Sequence, residues 1–505
     1  MSLILTRLSK RPTVRCFCRK LLQQTYSSSS ITKSSTTPSF NFGFDPYEYT
    51  NGRWLRADAA QRDARRVKFD FPALCQKAIS SAPGAKGILK CSMVEGNFNR
   101  AFILRLDNGT KVVARVPFSI AGPPRLVTNS EVATMAYLRE KTNIPIPQVL
   151  DWSDDPLNPV GTEYIIMEHV SGIQLQQHWP EMTSFQRMDC VRNLADLVKQ
   201  MHDLDFPAYG SIYFNDGLVS SSNSVRLDTR FCIGPNSGSR YFPCYPTDRR
   251  FYNRKPPNRG PWKTFDNFTR GLLDAGISSV PDETPLSRPA FRGTAEEHMA
   301  LLSEAEAVLQ ALSRDPRIEK ISSPLLLHPD LHKRNIFVDP DEPTKITAVI
   351  DWQSTCIDPA LLYYNAVPDL CEHPKGIAYD AMDSYDGVRD QTPEEVEAED
   401  ILRKEVAIFR IWAALGLPGS CPYQPTEEEL AKHNAQWEDF EMALNLEKGL
   451  MNILSTDEEG FVPTDNWDVV KRLSDELLKK WLADADADEM GRDKAKQLWP
   501  FDHWE

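Results

Sequence analysis

The pattern of apolar and polar positions divides the chain into a strand-rich first part and a helical remainder. Residues 69–82 predict a short helix, and runs at 88–94 and 98–106 read as extended. Asp107-Asn108-Gly109-Thr110 then supplies an Asn-Gly hairpin turn into a third strand at 111–116. Thr128-Asn129-Ser130 offers a cap for a helix over 131–141, and strand-like segments recur at 147–151 and 162–170. Beyond that point apolar residues fall at helical spacing over 184–202 and 296–312, and long helices are expected at 393–414, 426–454 and 466–483. The stretch 215–295, rich in Pro, Gly, Ser and aromatics, reads as a long loop or insertion. Short apolar runs separated by turns occupy 325–351, and the acidic end 484–488 reads as a solvated face or tail. A strand-rich lobe followed by a helical lobe is an α+β plan.

Length agrees with two lobes, because 505 residues exceed what a single core usually serves. The net charge of -13 disfavours nucleic acid and anionic membrane surfaces as partners. No run of about 18 apolar residues exists, so no membrane span is expected. The ten cysteines are scattered without a C-x-x-C pair, which predicts reduced, mostly buried thiols rather than a metal site.

The first 44 residues differ from the rest. They hold seven Lys/Arg and no acid, and the first acidic residue is Asp45. Arg7, Arg11, Arg15 and Arg19 recur every four residues, with Leu3, Ile4, Leu5, Leu8, Leu21 and Leu22 as apolar partners and a Ser/Thr-rich stretch over 25–39. This composition predicts a mitochondrial transit peptide. The alternative is a disordered basic tail, which Pro12 favours by interrupting the helix. The expected organisation is therefore 1–44 as targeting segment, 45–170 as a first lobe and 171–505 as a helical second lobe. Without residues 1–44 the chain carries 51 basic and 71 acidic residues, a net charge near -20.

The segment richest in chemistry is His328-Pro329-Asp330-Leu331-His332-Lys333-Arg334-Asn335-Ile336-Phe337-Val338, followed by Ile346-Thr347-Ala348-Val349-Ile350-Asp351-Trp352. Phosphoryl transfer needs a carboxylate near the acceptor hydroxyl and metal ligands that neutralise the triphosphate. H-x-D-x-x-x-x-N places a base and a neutral oxygen donor on one loop, and Asp351 adds a hard ligand suited to Mg²⁺ at the end of an apolar strand. The structural alternative is a buried His and Asp in an ordinary strand-loop-strand.

On these residues the chain resembles the aminoglycoside phosphotransferase and choline kinase superfamily, relatives of protein kinases. The resemblance covers about residues 86–450 and is strongest at 325–360. Within the superfamily the chain is similar to the fungal mitochondrial group named for altered inheritance of mitochondria, protein nine, through Cys232-Ile233-Gly234-Pro235, Asp248-Arg249-Arg250-Phe251 and Arg259-Gly260-Pro261-Trp262. The resemblance implies a two-lobed protein-kinase-like fold, with an antiparallel-sheet first lobe and ATP and Mg²⁺ between the lobes. It implies Asp330 as catalytic base, Asn335 and Asp351 as metal ligands, and His328 as a support for the loop 328–338. His332 stands where protein kinases carry a lysine near the γ-phosphate, or is a hydrogen-bonded loop histidine. Gly96 and Asn97 fall where the family places its phosphate-covering turn, although a plain hairpin fits equally. Arg115 takes the place of the kinase lysine, with Glu131 as its partner; a surface salt bridge is the alternative. Glu168 and Val170 lie on the segment resembling the hinge whose backbone meets adenine, and a buried edge strand would look the same. Lys333 and Arg334 are expected to face solvent, with phosphate as the alternative. No A-P-E segment follows Asp351, which points to a small-molecule acceptor rather than a protein. A nucleotide-binding pseudokinase acting as a regulator or scaffold is the rival reading, and oligomeric state is left open.

Overall fold

A computed structural model describes residues 40, 42–216, 218–244, 256–280, 294–363, 368–370, 412–487 and 491–502. The expected helix at 393–414 lies almost wholly outside them, as do residues 1–39 and the motif at 248–251.

The first part is an antiparallel sheet. Strand β1 is Gly52–Trp54, and β2 (Ile88–Glu95), β3 (Asn99–Leu106), β4 (Lys111–Pro117), β5 (Val149–Ser153) and β6 (Tyr164–Glu168) form one five-stranded sheet in the order β2-β3-β4-β6-β5. Its alternation is explicit on β3 and β4. Phe102, Leu104, Leu106, Val112, Ala114 and Val116 are buried on one face, against the helix Phe71–Ser80. Asp70 caps that helix by accepting from Ala73 N–H, and Pro72 stands in its first turn, where its missing N–H costs nothing.

The helix predicted over 131–141 begins earlier, at Leu126, and runs to Lys141. Thr128, Asn129 and Ser130 are therefore not its cap but buried residues of its first turns. Asn129 is polar because it faces a polar neighbour: it donates toward Asp154 and Asp216 and accepts from Phe214 N–H. This helix packs through Ala133, Met135 and Leu138 against Ile212, Ile233, Leu326, Val349, Trp352 and Ile357, so one core joins it to the second part.

Strand β7 (Ile173–Gln174) leads out of the sheet into the helix Ser184–His202. The stretch 215–295 differs from the loop expected of it. It contains β9 (Val225–Arg226) and β10 (Phe231–Gly234), which pair in the order β8-β10-β9 with β8 (Ser211–Phe214), and the helix Phe265–Ser278. Aromatics of its described part are core residues: Tyr241, Trp262, Phe265 and Phe268 are buried together with Val308 and Leu312 of the helix Ala295–Leu312. Gly271 belongs to that packing, since a Cβ there would sit 2.4 Å from the Trp262 ring.

Strand β11 (Pro324–Leu326) pairs with β14 (Ile357–Pro359), and β12 (Ile336–Val338) forms a hairpin with β13 (Ile346–Val349) and also pairs with β7. The long helices Glu427–Leu454 and Trp467–Ala487 close the chain, and they reach back to its beginning. Strand β15 (Phe461–Pro463) pairs with β1, and Leu55 is buried among Leu450, Leu454, Val462, Trp467, Trp499 and Phe501. At the other end of the first lobe, Phe40, Phe42 and Phe44 stack along its core, ahead of Asp45. Among the described residues no helix is long and apolar enough to cross a membrane, and all seven described cysteines are buried and free.

Candidate active site

Two charged groups face each other across the sheet and the β12–β13 hairpin. The first is built on Arg115, an outward position of β4 opposite Ala101 and Ile165. Arg115 pairs with Glu131 of the Leu126–Lys141 helix and lies 3.4 Å from Asp351 Oδ1. Glu131 is buried and Arg115 largely covered, at 3% and 12% side-chain exposure, which sets aside a surface salt bridge. Burial acts to lower the Arg115 guanidinium, but the Glu131 charge and hydrogen bond, with Asp351, hold it above its ordinary value. Asp351 follows β13 in a left-handed backbone conformation, φ +67°, which an aspartate tolerates better than most residues. Trp352 beside it is fully buried and donates to Val349 O at 3.0 Å, fixing the turn.

The second group is the loop 328–338. His328 is buried, and burial, the largest cause, pulls its pKa below the ordinary 6.5. The neutral ring bonds on both sides: Nε2–H donates to Ile350 O at 2.9 Å, and Nδ1 accepts Asp330 N–H at 3.1 Å. Asn335 repeats the link, since its carbonyl accepts Ile350 N–H at 2.9 Å. Asp330 and the residue preceding Asp351 are thus held to one scaffold. The Asn335 amide nitrogen donates to Asp330 O at 2.8 Å and to Oδ2 at 2.9 Å, which commits that nitrogen and leaves the amide oxygen as a neutral donor for a cation. Asp351, with its side chain 43% exposed, supplies a charged oxygen. Two hard oxygens fit Mg²⁺, which keeps waters and binds substrate phosphates rather than an all-protein cage. No cluster of three or more His, Cys, Asp or Glu suited to a metal occurs among the described residues.

His332 lies between two acids, with Nε2 3.1 Å from Asp330 Oδ1 and Nδ1 3.4 Å from Asp369 Oδ1. Lys333 and Arg334 do not simply face solvent. Lys333 donates to the Asp369 carbonyl at 2.9 Å and sits over the Trp179 ring, while Arg334 forks onto Asp330. Asp369 was invisible to sequence reasoning. It stands 39 positions beyond Asp330 with no motif around it, and only folding brings it to the loop.

Gly96 and Asn97 form the exposed turn between β2 and β3, closed by Gly96 N–H on Asn99 O at 2.9 Å. A Cβ on Gly96 would meet only that oxygen, at 3.6 Å, so nothing within the chain requires glycine there. Glu95 beside it is structural: it pairs with buried Arg100 and accepts from Thr50 and Asn51 N–H. Glu168 ends β6, where its side chain accepts Gln148 N–H at 2.9 Å, and Val170 follows three residues ahead of β7. Among the described residues neither is joined to the charged groups by a hydrogen bond or ion pair. They lie on the crossing between sheet and helical part. Gln353 spans the same division, donating to Ala121 O at 2.7 Å and accepting from Asn99.

Comparison with known proteins places these residues in context. The model of a family described as the phosphotransferase enzyme family matches residues 93–362, which include every sequence-predicted candidate above but not Asp369. A subtelomeric hrmA-associated cluster protein of Aspergillus fumigatus is 33% identical over 362 residues, 64% of this chain and 69% of its own. Altered inheritance of mitochondria protein 9, mitochondrial, of Yarrowia lipolytica is 26% identical over 440 residues, 76% and 73% of the two chains. Among solved structures, aminoglycoside phosphotransferase APH(4)-Ia aligns over 66% of this chain and 85% of its own, with 17% identity and a TM-score of 0.32.

Proposed function

The chain belongs to the phosphotransferase enzyme family, and on that premise we propose that it is a mitochondrial enzyme moving the γ-phosphate of Mg-ATP to a hydroxyl of a small molecule. The observation that carries this reading is the shared scaffold of two acids. His328 bonds to the backbone of Asp330 and of Ile350, so the candidate base and the candidate metal ligand Asp351 are fixed relative to one another.

In this reading Asp330 accepts the proton of the acceptor hydroxyl as its oxygen bonds to the γ-phosphorus and the bond to ADP breaks. Asn335 and Asp351 hold Mg²⁺, which when bound neutralises charge on the phosphates. Arg115, kept charged and oriented by Glu131, forks to phosphate oxygens. The Gly96-Asn97 turn covers the phosphates, the backbone of Glu168 and Val170 meets adenine, and His332 stands near the γ-phosphate.

The pseudokinase reading has observations of its own. Arg115 lies 3.4 Å from Asp351, and Arg334 bonds Asp330, so each acid has a cation of the chain beside it without any nucleotide. Incubation with ATP and a mitochondrial metabolite extract, followed by mass spectrometry, separates the two. A metabolite gaining one phosphate supports the enzyme, and nucleotide binding without any gain supports the pseudokinase. The location rests on the acid-free, arginine-striped first 44 residues and on the mitochondrial names of relatives. Since Phe40, Phe42 and Phe44 pack into the first lobe, processing falls upstream of Phe40. Protein from the organelle is expected to start between about residue 20 and Phe40; an intact Met1 would contradict import with cleavage.

A further inference from the structure

The Asp330 carboxylate, 32% exposed, has Arg334 on both of its oxygens. A carboxylate accepts about four hydrogen bonds, two at each oxygen. Here three hydrogen bonds are made: Arg334 Nη2 donates to Oδ1 at 2.8 Å and to Oδ2 at 2.7 Å, and Asn335 Nδ2 donates to Oδ2 at 2.9 Å, with His332 Nε2 in charge contact 3.1 Å from Oδ1. A hydroxyl that is to give up its proton competes with these donors for the carboxylate. Asn335 is buried and also holds the Asp330 carbonyl, and His332 is wedged against Asp369. Arg334 is the loosest of the three, at 55% exposure and four residues along the loop. The neighbouring cation is not available in its place, because Lys333 is engaged by Asp369 and Trp179.

Resting on the phosphotransferase reading, we propose that Arg334 covers Asp330 until an anionic group on the acceptor draws it away, so that the acceptor carries a carboxylate or a phosphate beside the hydroxyl it offers. A neutral acceptor must break the Arg334–Asp330 fork and leave the guanidinium to water. An anionic one replaces the carboxylate it takes from Arg334 with its own, and hydrogen bonds between charged groups are the stronger ones. Once uncovered, Asp330 takes the hydroxyl proton, the acceptor oxygen bonds to the γ-phosphorus, and ADP leaves with the electrons of the broken P–O bond. Water meets the same cover, so the arrangement also restrains wasteful ATP hydrolysis. Arg334 is a specificity-determining residue in this account.

The test uses the full chain and Mg-ATP hydrolysis, with acetate and methylphosphonate as carboxylate and phosphate probes, and acetamide and chloride at matched concentration and ionic strength as controls. Arg334→Gln is expected to hydrolyse ATP at least ~5-fold faster than wild type with an unchanged KM for ATP, since its base is uncovered. Wild type is expected to be stimulated by one anionic probe and by neither control, and the stimulation is expected to vanish in Arg334→Gln; whichever probe acts names the anion. Unchanged or slower hydrolysis in Arg334→Gln overturns the proposal, as does stimulation that survives the substitution. A KM for ATP raised ~10-fold also overturns it, by assigning Arg334 to the nucleotide. The double variant Asp330→Asn/Arg334→Gln keeps the two readings apart. Loss of the gained rate supports Asp330 as base, whereas full retention contradicts the phosphotransferase assignment itself and with it the gate.

Discussion

His328 shows how much one side chain can be asked to do. Its ring must stay neutral, because Nδ1 accepts the Asp330 N–H and a proton there would abolish that bond. Burial lowers its pKa from 6.5, while the unfolded chain takes up a proton near that value. The unfolded state therefore binds more protons as the pH falls below about 6.5, and stability falls with it. Thermal unfolding between about pH 7 and pH 5 should show a steeper loss in wild type than in His328→Gln; parallel curves would contradict the role. The Arg115–Glu131 pair makes a second prediction at this scale. Arg115→Met leaves a buried carboxylate without its partner and should destabilise the fold by ~3–5 kcal/mol, measured by denaturant unfolding. A loss below about 1 kcal/mol would return the pair to the status of a surface salt bridge. The sequence made His328, Asp330, Asn335 and Asp351 legible because they lie close along the chain in a spacing that chemistry constrains. It left Asp369 and the Arg334 fork hidden, since both depend on how a loop folds back on itself.

At the scale of elements, strands were easier to read than helix ends. The Asn-Gly turn fixed the β3–β4 hairpin, and its strands stand within a residue of their expected ends. The helix beginning at Leu126 was misjudged by five residues because Thr128, Asn129 and Ser130 look like a cap. Their polar groups instead serve tertiary contacts that no local pattern announces, such as Asn129 accepting from Phe214 N–H. The stretch 215–295 was misread for a related reason. Its Pro and Gly suggested a loop, whereas aromatics of its described part are core: Trp262 and Phe268 are buried against one another. Phe268→Ala should therefore cost ~3–5 kcal/mol, a loss a surface loop would not show; a change within about 0.5 kcal/mol would favour the loop.

The whole molecule is held by contacts that cross its length. The pairing of β1 with β15 and the burial of Leu55 beneath Trp467, Trp499 and Phe501 fasten the last helices to the start of the first lobe. None of this was legible from sequence, because strands of three residues carry almost no pattern and the partners lie about 400 positions apart. Leu55→Ala should cost ~2–5 kcal/mol and expose the C-terminal helices to limited proteolysis ahead of the rest; uniform digestion would contradict the attachment. The same architecture sets the junction where Arg115 reaches Asp351 and Gln353 reaches Asn99 and Ala121. Whether that junction transfers phosphate is decided by Asp330. A base contacts the acceptor and does little for the nucleotide, so removing its charge should cost rate and spare affinity. The direct measurement compares wild type and Asp330→Asn for Mg-ATP binding and for phosphate transfer to acceptor or water. The expected result is near-equal nucleotide affinity with transfer reduced at least ~100-fold; equal transfer by both proteins, or no binding of Mg-ATP by either, would contradict it.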